Sequence, residues 1–234
     1  MTPVAGGFAV STPDLPLVWT LNQVHLAGAI GYDAAVAVAE QHQGHLPFRH
    51  IVVEDAGDGA LAAAFAAGGW VVDRVVVMAL ERPADRDVAA DGVVELGEEE
   101  MLGLMRRWLA EDHPGESGEG FDQVGEYNRR EGRLWHETRF GVRSDDGEAV
   151  AVAKLRREGP VAWVEDVYTV PEARGRGYAR MLVTEATRRA RAAEPEVTFI
   201  LADDNDWPKE LYRKVGFEPV GYMGTFHRHA GSDR

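Results

Sequence analysis

Six residues, Arg174-Gly175-Arg176-Gly177-Tyr178-Ala179, join an apolar run that reads as a strand, Val161 to Val170, to an amphipathic stretch that reads as a helix, Tyr178 to Ala193. A glycine-rich turn from strand into helix presents successive backbone N–H groups to one point, where the helix adds the positive end of its dipole. A pyrophosphate suits such a cradle. Gly175 and Gly177 let the backbone come close to the phosphates, and Arg174, Arg176 and Arg180 bring guanidinium charge to the same place. The spacing Arg-x-x-Gly-x-Ala is shorter than the dinucleotide fingerprint G-x-G-x-x-G and lacks the Gly-Lys-Ser/Thr ending of a P-loop, which argues against both of those sites.

The loop resembles the acyl-CoA pyrophosphate loop of the GNAT superfamily of acetyl-CoA-dependent N-acyltransferases, whose pattern is Gln/Arg-x-x-Gly-x-Gly/Ala. Its flanks resemble the same family. Val164-Glu165-Asp166-Val167-Tyr168-Thr169-Val170-Pro171 is similar to the fourth strand of a GNAT domain, and the stretch from Asn205 to Phe217 is similar to a later helix that commonly ends Leu-Tyr-x-Lys-x-Gly-Phe. The resemblance is clear from Val150 to His227 and fainter back to Gly92. It implies a GNAT fold, an α/β (α+β) arrangement on a mixed sheet, with acetyl-CoA as cosubstrate and no metal. In such a fold Arg174, Gly175, Arg176, Gly177, Tyr178, Ala179 and Arg180 hold the pyrophosphate, Val167, Tyr168 and Thr169 line the pantetheine arm, and Asn205 hydrogen-bonds the cofactor. Asn205 is followed here by Asp-Trp-Pro where the family more often has small residues.

Acyl transfer to an amine needs the acceptor deprotonated, because an alkylammonium, with a pKa of about 10, is not nucleophilic. A carboxylate at the head of the site can take that proton, directly or through water. Glu165 is the candidate: on a regular strand it shares a face with Val167 and Thr169, while Asp166 points the other way. The Glu165-Asp166 pair resembles one in polyamine-acetylating relatives, and the choice of base between the two stays open. An ion pair of Glu165 with a pocket arginine is the structural alternative. The resemblance also implies that Tyr212 protonates the departing CoA thiolate, its alternative being a core aromatic beside Leu211 and Val215. A strand N–H from Val167 or a neighbour is expected to polarise the attacked carbonyl.

Other conspicuous residues carry less. His42, His45 and His50, and His227 and His229, fit no familiar ligand spacing and read as surface or core histidines. Glu98-Glu99-Glu100 reads as a solvated helix start, and Arg188, Arg189 and Arg191 as cations suited to a helix end. The chain has no cysteine, which excludes disulfides, thiolate catalysis and cysteine-ligated zinc. Met1 to Asp14 has no basic segment followed by an apolar block, and no apolar run reaches spanning length, so a cytoplasmic protein without a membrane partner is expected. Residues 1–140 carry 10 Lys and Arg against 23 Asp and Glu, whereas residues 141–234 carry 15 against 16. Such acidity argues against nucleic acid as a partner and suits a cationic acceptor, small molecule or peptide.

The elements that must position these residues follow a repeated order. Leu17–Leu26 reads as a strand, Ala34–Gln41 as a helix, His50–Glu54 as a strand, Gly59–Ala67 as a helix and Trp70–Leu80 as a strand. Val161–Val170, Tyr178–Ala193, Val197–Ala202, Pro208–Val215 and Pro219–Phe226 repeat that order. Ile51-Val52-Val53-Glu54-Asp55 parallels Ile200-Leu201-Ala202-Asp203-Asp204, and Phe65 falls where Tyr212 does, without its hydroxyl. The first half has Ala27-Gly28-Ala29-Ile30-Gly31-Tyr32 in place of the phosphate loop, with no arginine. Between them, helices over Leu96–Asp112 and Phe121–Glu131 precede hairpin strands Leu134–Arg143 and Val150–Arg157. The expected organisation is therefore a tandem: an incomplete, degenerate GNAT-like unit over residues 1–90 and an active GNAT domain over residues 91–234. Acceptor specificity is expected in the helix pair, the loop around Gly115 to Gly120 and the groove between units. The expected activity is acetyl transfer to a primary amine by direct attack in a ternary complex. The alternative is an acyl-CoA-binding sensor or structural partner with negligible turnover, for which Glu165 and Tyr212 would have no use.

Overall fold

The computed structural model describes residues 1–54, 59–112 and 118–229. Asp55, the turn after Asp112 and residues 115–117 of the expected acceptor loop lie outside the described residues. The chain forms two compact units, one of Met1–Val77, Asp203–Asn205 and Gly221–Arg234, the other of Met78–Ala202 and Asp206–Val220.

In the first unit β1 (Thr2–Val4), β2 (Gly7–Ala9) and β3 (Val24–Ala27) pair antiparallel in turn, β3 runs parallel to β4 (Phe48–Glu54), and β4 pairs antiparallel with the end of the last strand, β11 (Phe217–His229). The crossover from β3 to β4 is α1 (Tyr32–Gln43), which buries Ala35, Val38 and Ala39 at helical spacing. α2 (Ala60–Ala67) leads into β5 (Val71–Leu80). Phe65 of α2 stacks on Phe226 with ring centroids 4.0 Å apart and meets Tyr32 and Trp70 edge-on at 5.0 and 5.1 Å. The strand expected over Leu17–Leu26 is mostly absent. Trp19–Leu21 is a 3-10 turn and the strand starts at Val24. Asn22 explains the change: its buried amide donates to Leu15 O and Val18 O, at 2.8 and 2.9 Å, and accepts from Thr12 N–H at 2.9 Å. Local bonds of this kind compete with a ladder.

In the second unit β6 (Val93–Glu95), β7 (His136–Arg143), β8 (Ala149–Glu158) and β9 (Val161–Thr169) form an antiparallel run, and β10 (Val197–Asp203) joins β9 in parallel. Helices α3 (Glu98–Asp112) and α4 (Gly118–Glu131) precede the hairpin. α5 (Tyr178–Ala192) follows a 3-10 turn over Pro171–Ala173, and α6 (Pro208–Val215) precedes β11. β8 is buried on both faces: Val150 and Val152 join Tyr168, Val170, Met101 and Met105 in one apolar cluster, while Ala151, Ala153 and Leu155 alternate with them on the other side. Gly216 ends α6 at φ +112°, where an added Cβ would collide with the Arg82 carbonyl, so the Gly-Phe step after the helix is a packing requirement.

His50 is buried in the first unit beside Trp19 and His227. Burial lowers its imidazole to about 4, with His227 and His25 adding repulsion and a hydrogen bond to the Trp19 backbone opposing the shift. The folded state keeps His50 neutral where the unfolded chain protonates it, so this stability is full above about pH 6.5 and lost as pH falls toward about 4. Denaturant titrations should show a loss on the order of 3 kcal/mol across that window. His50→Gln should flatten the slope, and an unchanged slope would remove His50 as its source.

Candidate functional site

The turn into α5 has the backbone that an anion cradle needs. Gly175 and Gly177 both adopt left-handed φ, +78° and +82°, and a Cβ on either would point into open space. The first bond of α5 runs from Met181 N–H to Gly177 O, so the amides of Tyr178, Ala179 and Arg180 have no intrahelical acceptor. Two buried polar atoms nearby in the chain, Arg180 Nε and Thr169 Oγ1, find no hydrogen-bond partner among the described residues. Open glycines, helix-end amides and an orphaned guanidinium N–H fit a pyrophosphate. Arg174 is engaged elsewhere. Its Nη2 donates to both oxygens of Glu111 at 2.7 and 2.8 Å, and its Nε donates to Thr169 O at 3.0 Å. It fastens the turn to β9 and α3, leaving Arg176 and Arg180 as the turn's other cations.

Strand β9 is irregular just before that turn. Its ladder with β8 pairs Lys154 with Glu165 and Val152 with Tyr168, so Asp166 and Val167 together oppose Ala153. This is a β-bulge, and Asp166 takes φ +50° within it. The bulge overturns the expected alternation. Directly opposed residues share a face, so Glu165 lies with Lys154, and Tyr168 with Val152, on one side of β8; Thr169, opposite Ala151, lies on the other. Glu165 therefore does not share a face with Thr169. Asp166, expected to point away, reaches Lys154 Nζ at 2.7 Å. On its other edge β9 pairs with β10 only from Val161↔Val197 to Val164↔Ile200. From Glu165 onward that edge has no ladder partner among the described residues of β10, which opens backbone donors and acceptors to a bound chain.

Glu165 sits in a buried set of charges. Arg156, 1% exposed, spends each nitrogen on a different carboxylate: Nε on Glu137 at 2.8 Å, Nη2 on Glu131 at 2.6 Å and Nη1 on Glu165 at 2.5 Å. Lys154, equally buried, pairs with Asp166 and donates to Asn128 Oδ1 at 2.5 Å, and Arg139 pairs with Glu137 at 2.6 Å. Three cations face four carboxylates, so one proton balances the set. Proton affinity is raised at Glu165: burial first, then the Asp166 charge, push its carboxyl up to about 8 against the pull of Arg156 and Lys154. Glu165 Oε1 lies 2.5 Å from Arg156 Nη1 without a hydrogen bond to it, so that pull is one of charge alone. Burial also works on Glu137, yet Lys154, Arg156 and Arg139 hold its carboxyl below the usual range.

Residues 102–217 match the model of the acetyltransferase (GNAT) family. This stretch is a GNAT-family domain. Over 102 residues the chain is 35% identical to the N-alpha-acetyltransferase RimI of Mycobacterium tuberculosis (strain ATCC 25618 / H37Rv), covering 42% of this chain and 63% of that protein. It therefore spans less than two thirds of that curated relative's length. A functionally unknown conserved protein from Staphylococcus epidermidis ATCC 12228 superposes with a TM-score of 0.72 at 13% identity, covering 98% of this chain and 93% of that one. A tandem GNAT protein from the clavulanic acid biosynthesis pathway superposes at 0.56 and 16% identity, covering 86% and 70%. At these identities the likeness is one of fold, and it agrees with the mixed α/β architecture read from the sequence.

Tyr212 of the GNAT domain is buried on α6, edge-on to Phe217 at 6.4 Å, and burial with the nearby Asp206 charge raises its phenol. It stays protonated through the neutral range. Tyr168 donates to Glu111 at 3.1 Å and stacks on Trp108, which makes it a packing and anchoring residue. Asn205 lies in the exposed turn after β10, its N–H donating to Asp203 Oδ1 at 2.7 Å, and it belongs to the first compact unit. Sequence reasoning missed Arg156, Lys154, Glu131 and Glu137. A signal existed for two of them: Lys154 and Arg156 stand two apart, on one strand face, beside the otherwise apolar run Val150–Leu155.

The charge set makes a stability prediction. Arg156→Met leaves three carboxylates without their shared cation and should cost about 3–5 kcal/mol in urea unfolding. Glu165→Gln, which imitates the protonated carboxyl, should change stability by less than about 1 kcal/mol near pH 4.5 and should become more stable than the parent protein as pH rises to 7, because it needs no proton uptake on folding. Equal losses in the two variants would contradict the assignment of the proton to Glu165.

Proposed function

We propose that the GNAT domain transfers the acetyl group of acetyl-CoA to a primary amine by direct attack, with both substrates bound together. The observation that carries this reading is the pairing of the open glycine turn, Gly175 to Gly177, with a bulged strand that bears a proton-exchanging carboxyl, Glu165. Arg176, Arg180 and the amides at the start of α5 would hold the pyrophosphate, and the open edge of β9, at Val167 and Thr169, would pair with the amides of the pantetheine arm. Acetyl-CoA supplies an activated thioester.

In its ionised form, whose share grows as pH rises toward about 8, Glu165 takes a proton from the bound ammonium, the freed nitrogen lone pair forms a bond to the acetyl carbon, and the carbon–sulfur bond breaks. Tyr212, held protonated by burial, gives its proton to the departing sulfur, and the second proton of the new amide nitrogen, passed through water, restores the phenol. A bulge leaves its extra residue out of the ladder, and a strand N–H at Val167 or a neighbour would polarise the carbonyl oxygen as charge develops on it. An α-amino group fits this base well. Its pKa of about 8 lies beside that of Glu165, whereas a lysine-type amine lies about two units higher and resists proton removal. The similarity to an N-alpha-acetyltransferase supports the same choice, and the acidic surface favours a cationic peptide end.

Purified protein, acetyl-CoA and peptides with free or blocked N-termini, followed by thiol release and mass spectrometry, test the reading. Acetylation confined to free α-amines is expected, and no thiol release from any amine would overturn it. Gly177→Glu should abolish CoA binding in calorimetry by placing bulk and negative charge in the cradle. Tyr212→Phe should retain CoA affinity and lose roughly ten- to a thousandfold in kcat. Unchanged turnover in that variant would make Tyr212 a core aromatic.

A further inference from the structure

Glu131, the last residue of α4, has no part in the chemistry above, yet it touches the cation that governs Glu165. Its Oε2 lies 2.6 Å from Arg156 Nη2, it accepts a hydrogen bond from the Tyr127 hydroxyl, and its side chain is largely buried. A guanidinium offers an edge of two parallel N–H groups, and a carboxylate that takes the whole edge forms the strong bidentate pair. Arg156 forms no such pair. Nη1 goes to Glu165, Nη2 to Glu131 and Nε to Glu137. Were Glu131 absent, Nη2 would lose its carboxylate; of the two carboxylates that border it, Glu137 already gives its other oxygen to Arg139 at 2.6 Å, which leaves Glu165 to take the Nη1–Nη2 edge.

We propose that Glu131 is a positioning residue for Glu165: by holding Nη2 it keeps Arg156 divided and leaves Glu165 able to accept and release a proton. The groups around Glu165 are Asp166 on its own strand, Lys154 and Arg156 on β8, Glu131 and Tyr127 on α4, and Glu137 and Arg139 on β7 behind Arg156. Removal of Glu131, as of Asp166 or Glu137, acts twice in one direction. It takes away a negative charge and frees a cation, and both favour the ionised form of Glu165. The functional meaning rests on Glu165 as the base; the geometric claim does not.

The test is the carboxyl titration of Glu165 in full-length protein labelled with carboxyl-13C glutamate, assigned by the signal lost in Glu165→Gln, together with the pH profile of kcat/KM. In Glu131→Gln the Glu165 midpoint should fall by about one pH unit or more, a tenfold loss of proton affinity, and the acid limb of kcat/KM should move with it. Glu131→Asp, which keeps the charge but withdraws it from Nη2, should lower the midpoint by a smaller amount and carries the test if the glutamine variant does not fold. A midpoint that falls only in Glu131→Gln would show simple charge and overturn the positioning role, as would one that moves in neither. A midpoint that falls in both while the rate profile stays fixed would uphold the positioning role and remove Glu165 as the base.

Discussion

Arg156 carries one positive charge and meets Glu131, Glu137 and Glu165 through three different nitrogens, at 2.6, 2.8 and 2.5 Å. A cation this close would ordinarily hold a carboxylate ionised far below neutral pH. Shared three ways and buried, it holds Glu165 in place without draining its affinity for a proton. Lys154 and Arg139 complete a set with one carboxylate more than it has cations, and burial, followed by the Asp166 charge, raises the proton affinity of Glu165 within it. The arrangement sits on β7, β8, β9 and α4, so its geometry depends on the pairing of those elements.

The bulge at Asp166 links that electrostatic device to the rest of the domain. One extra residue in β9 brings both carboxylates over Lys154 and Arg156, turns Tyr168 back into the apolar cluster, and ends ladder pairing with β10 at Val164. A strand edge thereby opens a few residues before the glycine turn. Arg174 then ties the turn to Glu111 and to Thr169 O, so the cradle at Gly175 and Gly177 is held by α3 as well as by α5.

Much of this was legible in the sequence. The glycine turn, the helix from Tyr178 and the Leu-Tyr-x-Lys-x-Gly-Phe ending each carry a local requirement: left-handed backbone, helical spacing, a tight cap against Arg82. The burial of Tyr212 matches the core position beside Leu211 and Val215 that the sequence offered as its alternative. The bulge was not, because Val164-Glu165-Asp166-Val167-Tyr168 contains neither glycine nor proline and reads as a regular strand; the register is set by a partner strand. The role of Arg156 depends on carboxylates 9, 19 and 25 positions away in sequence, at Glu165, Glu137 and Glu131, which no local pattern joins. The short strand at Val24 was misread for the opposite reason: a strictly local feature, the Asn22 side chain, overrode an apolar run.

The most direct measurement is the proton balance of unfolding near pH 6.5, from calorimetry in buffers of different ionisation enthalpy, for the protein and for Glu165→Gln. With its carboxyl raised to about 8 in the folded state against 4.5 as the ordinary value, Glu165 holds a proton that the unfolded chain releases. Its contribution is full at low pH and is lost as pH rises from about 4.5 through about 8. The charge-sharing account predicts that the protein releases about one proton more on unfolding than Glu165→Gln does. Equal proton release from the two would contradict it, placing Glu165 among the ordinary ionised carboxylates.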